Sequence, residues 1–299
     1  MSANFEVDLH LHTTFSDGTL TPTRLVDLCA SRGLKNIAIS DHDSTEGLSE
    51  ALKAAEAHPE LTIIPAIELS TDIPGSEIHM LGYFIDREDP ELQATLSRFR
   101  DGRFNRGRLM VEKLSEVGVE ISWERVQKLS DGGSIGRPHV AQAMVEAGYV
   151  KFPKEAFDRY LGRDGIAYVE RPKLTPEGAV AMLVQNGALP VMAHPTYSEV
   201  KSSRGGVVDL RDTLSALKGE GLVGMEVFYG DYTEDQVIYL KGLADDLDLI
   251  PCGGSDYHAS GNPGEPEPGT VGPPISTIER LTAFERLTAL KQETAGRPD

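Results

Sequence analysis

The sequence predicts an α/β fold in which a mostly parallel sheet is covered by helices. Three observations carry that expectation. Short apolar runs alternate with helix-patterned segments between residues 7 and 85, and again between 175 and 293. Nearly every apolar run ends on a histidine, aspartate or glutamate. The composition, 39% hydrophobic and 25% charged over 299 residues, suits one large globular domain, or a main domain with an insertion. Strand–helix alternation indicates a parallel sheet, and chemistry in such folds gathers at the C-terminal strand ends.

Taken in order, Val7-Asp8-Leu9-His10-Leu11-His12 reads as an apolar strand closing on two histidines. Alternate strand residues share a face, so His10 and His12 point one way and Leu9 and Leu11 the other. Alone, this pair is either half a metal site or two ordinary polar residues at a strand terminus. A polar turn holding Ser16-Asp17-Gly18 follows. Thr21-Pro22 then supplies a hydroxyl cap and a first-turn proline for a helix whose apolar face is Leu25, Val26, Leu28 and Cys29, with Gly33 closing it. Residues 36–40 form a strand ending at Asp41-His42-Asp43, residues 44–58 a helix, and residues 61–67 a strand ending at Glu68. Residues 78–85 carry a fourth strand with His79 near its start.

From 90 to 168 the strand-like runs vanish and helical periodicity takes over, at 92–117, 123–129, 138–147 and 153–161. This predicts an inserted helical subdomain, 90–168, interrupting a main domain made of 1–89 and 169–299. The earlier rhythm then resumes. Thr175-Pro176 starts a helix to 186, and a strand at 188–193 ends at His194-Pro195. A helix at 210–218, a strand at 222–228 and a helix at 233–246 follow. The strand at 249–254 ends at Ser255-Asp256-Tyr257-His258. Residues 261–274 are rich in Gly, Pro and Glu and read as an exposed loop or rim lid, and 278–293 as a closing helix.

Lys and Arg total 29 against 47 Asp and Glu, a formal net charge of −18. Such a surface repels polyanions, which argues against duplex nucleic acid but leaves room for a small phosphorylated substrate held by local cations. The absence of an apolar run of about 18 residues argues against a transmembrane helix. The first residues lack the basic and apolar regions of a signal peptide. With Cys29 and Cys252 read as reduced core thiols, the expected compartment is the cytoplasm.

The candidate chemistry lies at the strand ends. All eight histidines except His58 fall there or in a distinctive polar motif. His10, His12, Asp17, His42, Glu68, His79, His194, Asp256 and His258 would crowd imidazoles and carboxylates at one end of the sheet. Without cations that is costly; together they suit two or three divalent metals. Asp8, Asp41 and Asp43 flank ligand histidines, either as acceptors for imidazole N–H groups or as caps of the strand ends. Ser134-Ile135-Gly136-Arg137-Pro138-His139 opens a helix in the insertion. Its Arg137 and His139 at a helix N-terminus suit phosphate capture, against the alternative of a surface arginine and a core histidine. Arg103 and Arg106, three apart, share a helix face and read as a second phosphate site or a solvated basic face. Tyr168, Tyr197 and Tyr229 read as core residues or pocket walls.

Taken as a set, His10-Leu11-His12, Ser16-Asp17-Gly18, Ser40-Asp41-His42-Asp43, Glu68, His79, Ala193-His194-Pro195 and Gly254-Ser255-Asp256-Tyr257-His258 resemble, in order and spacing, the PHP (polymerase and histidinol phosphatase) family of metal-dependent phosphoesterases. The resemblance covers essentially the whole chain. It implies a distorted (β/α)7 barrel with metals at the strand C-termini. It assigns the first metal to His10, His12, Glu68 and Asp256, the second to Glu68, His79 and His194, and the third to Asp17, His42 and His258. In some family members the position of Asp17 is a histidine; a carboxylate there hardens the site and favours manganese or iron over zinc. Two to three divalent ions are expected, manganese first, with iron or zinc as alternatives.

Within the family, the turn at Asp17, the helix start at Arg137 and the size of the insertion resemble the subgroup that includes nucleoside 3′,5′-bisphosphate phosphatases, some of which trim short RNA from the 5′ end. The implied activity is hydrolysis of the 3′-phosphate by a metal-bound hydroxide. His139 or Arg137 would neutralise charge, with His139 the candidate to protonate the leaving group, and Arg137, His139, Arg103 and Arg106 would bind substrate. The rivals are another small phosphoester, such as a cyclic phosphate, a short oligonucleotide end or histidinol phosphate, and an amidohydrolase-type C–N hydrolysis. A purely structural metal cluster is a third.

Overall fold

The computed structural model describes residues 5–73, 76–130, 133–171, 173–195 and 209–295. Among them seven strands form one sheet, ordered as in the chain: β1 (Val7–Leu11), β2 (Asn36–Ile39), β3 (Thr62–Ile73), β4 (Ser76–Tyr83), β5 (Leu189–Met192), β6 (Gly224–Tyr229) and β7 (Ile250–Gly254). A parallel bridge from Leu11 to Tyr257 brings the two edges together, so the sheet is a nearly closed barrel. Gly254 makes that closure possible. A Cβ there would lie 2.4 Å from the His10 backbone nitrogen, a distance only glycine avoids.

The sheet is not uniformly parallel. β4 runs antiparallel to both β3 and β5, which departs from the parallel order expected from the sequence. The physical reason is a hairpin: β3 continues past Glu68 to Ile73, and β4 folds straight back along it. The reversal brings the first half of β4, with His79, to the end where the parallel strands finish.

Helices α1 (Pro22–Ser31) and α2 (Leu48–Ala55) follow the first two strands, and α3 (Pro90–Glu116), α4 (Trp123–Leu129), α5 (Arg137–Glu146) and α6 (Pro153–Ala156) lie between β4 and β5. Then come α7 (Pro176–Asn186), α8 (Leu210–Glu220), α9 (Glu234–Asp246) and α10 (Ser276–Ala295). The expected caps form, Thr21 accepting from the Arg24 N–H and Thr175 from the Gly178 N–H. α2 is shorter than the 44–58 expected, because residues 43–47 are bound into a turn by the Asp41 and Glu68 carbonyls. The helix expected over 153–161 divides into α6 and a π-helical turn, Phe157–Leu161.

Two buried clusters flank the strands. One holds side chains from β1–β5 and β7 with Leu281 of α10, among them Val7, Leu9, Ala38, Ile64, Leu81 and Cys252. The other packs the strands' opposite faces on α1, α2, α7, α8 and α9 through residues such as Leu25, Ile37, Ile67, Leu183, Leu214 and Leu240. Burial on both faces explains why the strands read as unbroken apolar runs. A register shift between Asp8 and Leu11 puts Leu9 and Leu11 in different clusters, where simple alternation predicts one. Cys29 and Cys252 are both buried free thiols. A third cluster, from Met110 to Ala167, holds α4, α5 and α6 together. α3 spans two of them: Leu92, Leu96 and Phe99 pack with the barrel, and Met110 and Leu114 with the helical group. Among the described residues no helix is long and apolar enough to cross a membrane.

Candidate active site

Glu68 of β3 sits at the centre of the histidines. Its Oε2 lies 3.2 Å from His10 Nε2, 3.3 Å from His12 Nε2 and 2.9 Å from His42 Nδ1. Its Oε1 lies 2.9 Å from His79 Nδ1 and 3.1 Å from His194 Nε2. Asp256 Oδ1 faces His10 Nε2 and His12 Nε2 at 3.2 and 3.1 Å. Asp17 forms another corner, 3.2 Å from His258 Nε2 and 3.7 Å from His42 Nε2. The backbone bends sharply to aim these groups: His194 and Asp256, just past β5 and β7, have φ of 27° and 55°, the left-handed region where such residues mark functional constraint.

Three groups of ligand atoms each lie within 4.8 Å of one another: His10, His12, Glu68 and Asp256; His42, Glu68 and His79; and His12, Asp17, His42 and His258. His12 and His42 therefore each face two groups, and His194 joins the second through Glu68. Six buried ligand atoms in these groups find no hydrogen bond among the described residues: His10 Nε2, His12 Nε2, Asp17 Oδ1, His42 Nδ1, Glu68 Oε2 and Asp256 Oδ1. Buried polar atoms are rarely left so, and an imidazole–carboxylate donor set suits divalent ions. The residues fit the metals.

The carboxylates favour the protonated form of several of these imidazoles. Burial disfavours a charged His10, yet Asp256, Glu226 and Glu68 hold its pKa well above the ordinary value. His258 is pushed up to about 10 against its burial by Asp17 and Asp256. Burial alone would raise the Asp17 and Glu68 carboxyls; the surrounding imidazoles hold both well below the usual range. Metal uptake must displace such protons, so it weakens as pH falls.

The flanking aspartates do not serve the imidazoles. Asp8 accepts the Ser255 N–H at 2.9 Å and more distantly those of His10 and Gly269, tying β1 to the β7 loop. Asp41 accepts from the Thr13 N–H and hydroxyl, both at 2.7 Å, and from Ser16 Oγ at 2.6 Å, bracing the turn that carries Asp17. Asp43 accepts Arg103 Nε at 2.9 Å and Arg171 Nη2 at 2.8 Å. A carboxylate that does hold an imidazole is Glu226 in β6. Its Oε1 is 3.0 Å from His10 Nδ1, and its Oε2 accepts the His194 backbone N–H at 2.7 Å. Its sequence signal was a lone carboxylate inside the apolar strand Met225-Glu226-Val227. Tyr229 also has a polar role, donating its hydroxyl to Asp256 Oδ2 at 2.9 Å. Tyr197 lies outside the described residues.

A cleft of about 680 Å³ opens on this centre. Asp17, Asp256 and His258 line its floor. Leu129, His139 and Phe157 come from the helical stretch between β4 and β5, and Asn262, Pro263 and Pro266 from the Gly/Pro-rich loop. His139 is 6% exposed, and its Nδ1 accepts the Gly136 N–H at 2.9 Å, so the helix start is capped from within and the neutral ring carries its proton on Nε2. Burial and then Arg103 lower its pKa, with Asp17 opposing. Arg137 does not line the cleft. It pairs with Glu77 at 2.8 Å and lies over the Phe157 ring. Arg103 and Arg106 are buried on the inner face of α3, each 5% exposed, in place of a solvated basic face.

The Asp43 contacts carry a stability prediction. Asp43→Asn would strip the charge from beneath two buried guanidiniums and should destabilise the protein by about 3–5 kcal/mol. A lower urea midpoint at unchanged m-value would show it; an unchanged midpoint would mean the arginines find other partners.

The PHP domain family model matches residues 8–161. A 3′,5′-nucleoside bisphosphate phosphatase from Chromobacterium violaceum is 32% identical, over 86% of this chain and 89% of that protein. A 5′-3′ exoribonuclease, Rnm, from Salmonella typhimurium is 31% identical, over 84% of each. Among solved structures, one from Bifidobacterium adolescentis, described as a metal-dependent phosphoesterase, superposes with a TM-score of 0.84 at 30% identity, covering 93% of this chain and 95% of that one.

Proposed function

The chain belongs to the PHP domain family and is a metal-dependent phosphoric ester hydrolase, and from that premise we propose that it removes the 3′-phosphate of nucleoside 3′,5′-bisphosphates. The observation that carries this reading is the cleft. Its volume, about 680 Å³, falls in the range of small-ligand sites. It runs from carboxylates and an imidazole of the metal centre to apolar and aromatic walls suited to a nucleoside. The similarity to the bisphosphate phosphatase supports the same substrate class.

We assign the first metal to His10, His12, Glu68 and Asp256, the second to Glu68, His79 and His194, and the third to Asp17, His42 and His258, with manganese favoured by the carboxylate at Asp17. Divalent ions held by these residues would supply activation of water and neutralisation of phosphoryl oxygens. The protein's own groups do the rest. The Nε2–H of His139 offers a hydrogen bond to the ester or phosphoryl oxygen, and the low pKa of that ring suits a neutral donor better than a strong acid. Arg103 and Arg137 are each committed to a carboxylate, so they lend positive field beside the site, while Arg106 keeps its charge for the substrate. Residues 90–168 act as the cap that closes the nucleotide against the barrel. We place the enzyme in the cytoplasm, where free thiols persist.

The test is incubation of the manganese-loaded enzyme with adenosine 3′,5′-bisphosphate. The expected products are adenosine 5′-monophosphate and orthophosphate. Appearance of the 3′-monophosphate would overturn the assignment. So would a higher kcat/KM for a 5′-phosphorylated dinucleotide, the reading favoured by the exoribonuclease relative, or for a cyclic phosphate.

A further inference from the structure

The loop that follows β7 carries two functions in a few residues. At its start, His258 offers a ligand atom. Its Nδ1 lies 2.8 Å from the Asp256 carbonyl oxygen, which can only accept, so Nδ1 bears the proton and Nε2 is left to face Asp17 at 3.2 Å. Further on, Ser260, Asn262, Pro263, Glu265 and Pro266 line the cleft. Between the two, the chain turns through Ala259, whose φ is 53°. A residue with a Cβ stays in that left-handed conformation only where its surroundings hold it there.

The half-buried side chain of Glu265 does the holding. Its Oε1 accepts the N–H groups on either side of Ala259, from His258 at 2.9 Å and from Ser260 at 3.2 Å, and its Oε2 accepts the Ser260 hydroxyl at 3.1 Å. Backbone N–H groups converging about a left-handed residue form a concave anion-binding arrangement, and here the anion is a side chain of the same loop. The carbonyl side of the turn is fixed from the barrel. The Thr19 N–H donates to the His258 carbonyl and its hydroxyl to the Ala259 carbonyl, both at 2.8 Å. The far end of the loop is seated as well: Pro266 lies so close to Gly230 that a Cβ there would be 2.1 Å from it. Glu265 belongs to none of the three ligand groups, so its influence on them runs through the backbone of His258. We propose that Glu265 is a positioning residue for the metal centre: by clamping the turn at Ala259 it aims His258 at the ligand group of Asp17 and His42. The same clamp holds the cleft wall that faces Leu129, His139 and Phe157, so ligand and wall are set together. The proposal rests on the reading of His258 as a metal ligand.

The experiment uses the full-length chain, stripped of metal and titrated with Mn²⁺ in a calorimeter, with bound ions counted by elemental analysis. Amide hydrogen exchange is followed on the metal-free protein, and His258→Ala serves as the reference for a lost ligand. Glu265→Ala should bind one ion about 10- to 100-fold more weakly, the scale on which a group that orients a ligand is lost, with the remaining ions held as in the wild type. Its His258 and Ser260 amides should exchange faster. Glu265→Gln keeps a carbonyl oxygen for both N–H groups and an amide to donate to the Ser260 hydroxyl, and should recover most of the lost affinity. Wild-type metal binding in Glu265→Ala, where His258→Ala loses an ion, would overturn the proposal and leave Glu265 a brace of the loop alone. Glu265→Gln as weak as Glu265→Ala would overturn it too, by making the charge responsible in place of the hydrogen bonds. Retention of every ion by His258→Ala would overturn the reading of His258 as a ligand, and the proposal with it. If Glu265→Ala does not fold, Glu265→Asp, one methylene too short to reach both N–H groups, takes its place in each comparison.

Discussion

Glu68→Gln should lower phosphate release by at least about 10²–10³-fold, the scale on which a group that stabilises transition-state charge is lost, while the far-ultraviolet circular dichroism stays that of the wild type. The magnitude follows from position. Among the described residues Glu68 is the one carboxylate whose two oxygens reach five imidazoles, those of His10, His12, His42, His79 and His194. Glutamine keeps the volume and hence the packing of β3, but halves the acceptor capacity and removes the charge. Metal content after loading should fall with turnover. In the metal-free variant the imidazoles that Glu68 holds protonated, His10, His42 and His194, should titrate at lower pH than in the wild type, a shift that nuclear magnetic resonance reads directly. Turnover and metal content both near wild type would refute the central role given to Glu68.

Glu226→Gln should weaken metal binding about 10- to 100-fold, the usual effect of removing a group that orients a ligand histidine, with most of kcat recovered at saturating metal. Both partners of Glu226 present hydrogens to it. His10, with Nε2 turned towards Glu68 and Asp256, has Nδ1–H for Oε1, and the His194 backbone N–H meets Oε2. A glutamine must turn its amide NH2 against one of them, so the isosteric change is not silent. The choice of an isostere separates positioning from packing: if Glu226 only fills space, metal affinity will not move. An affinity unchanged in isothermal titration would therefore sink the assignment.

How far each of these residues could be read from the sequence varies with the range of its contacts. His10 and His12 announce themselves by spacing, and His42, His194, Asp256 and His258 each follow a recognisable strand within four residues. The helices from Pro22 and Pro176 are signalled by a hydroxyl followed by proline. His79 was visible as a residue but not as to how it arrives, since nothing local says that β4 returns antiparallel along β3. Asp8 and Asp41 looked equivalent to any carboxylate beside a ligand histidine; only their partners, Ser255 in one case and Thr13 and Ser16 in the other, reveal loop braces. Arg103 and Arg106 share a helix face by spacing, yet spacing does not say whether that face meets water. It meets Asp43 and Ser70, 60 and 33 residues from Arg103 along the chain, and the other arginines.

By itself the sequence determined the elements, their order, the residue types at the strand ends and the helical character of the stretch between β4 and β5. Each of these is encoded within a window of a few residues by periodicity and capping. The tertiary structure decided the direction of β4, the sharing of His12 and His42 between ligand groups, the support of His10 by Glu226, and the burial of Arg106 without an ion pair among the described residues. Those depend on which distant segments meet. A buried charge is defined by its partners, and the chain specifies partners only by folding.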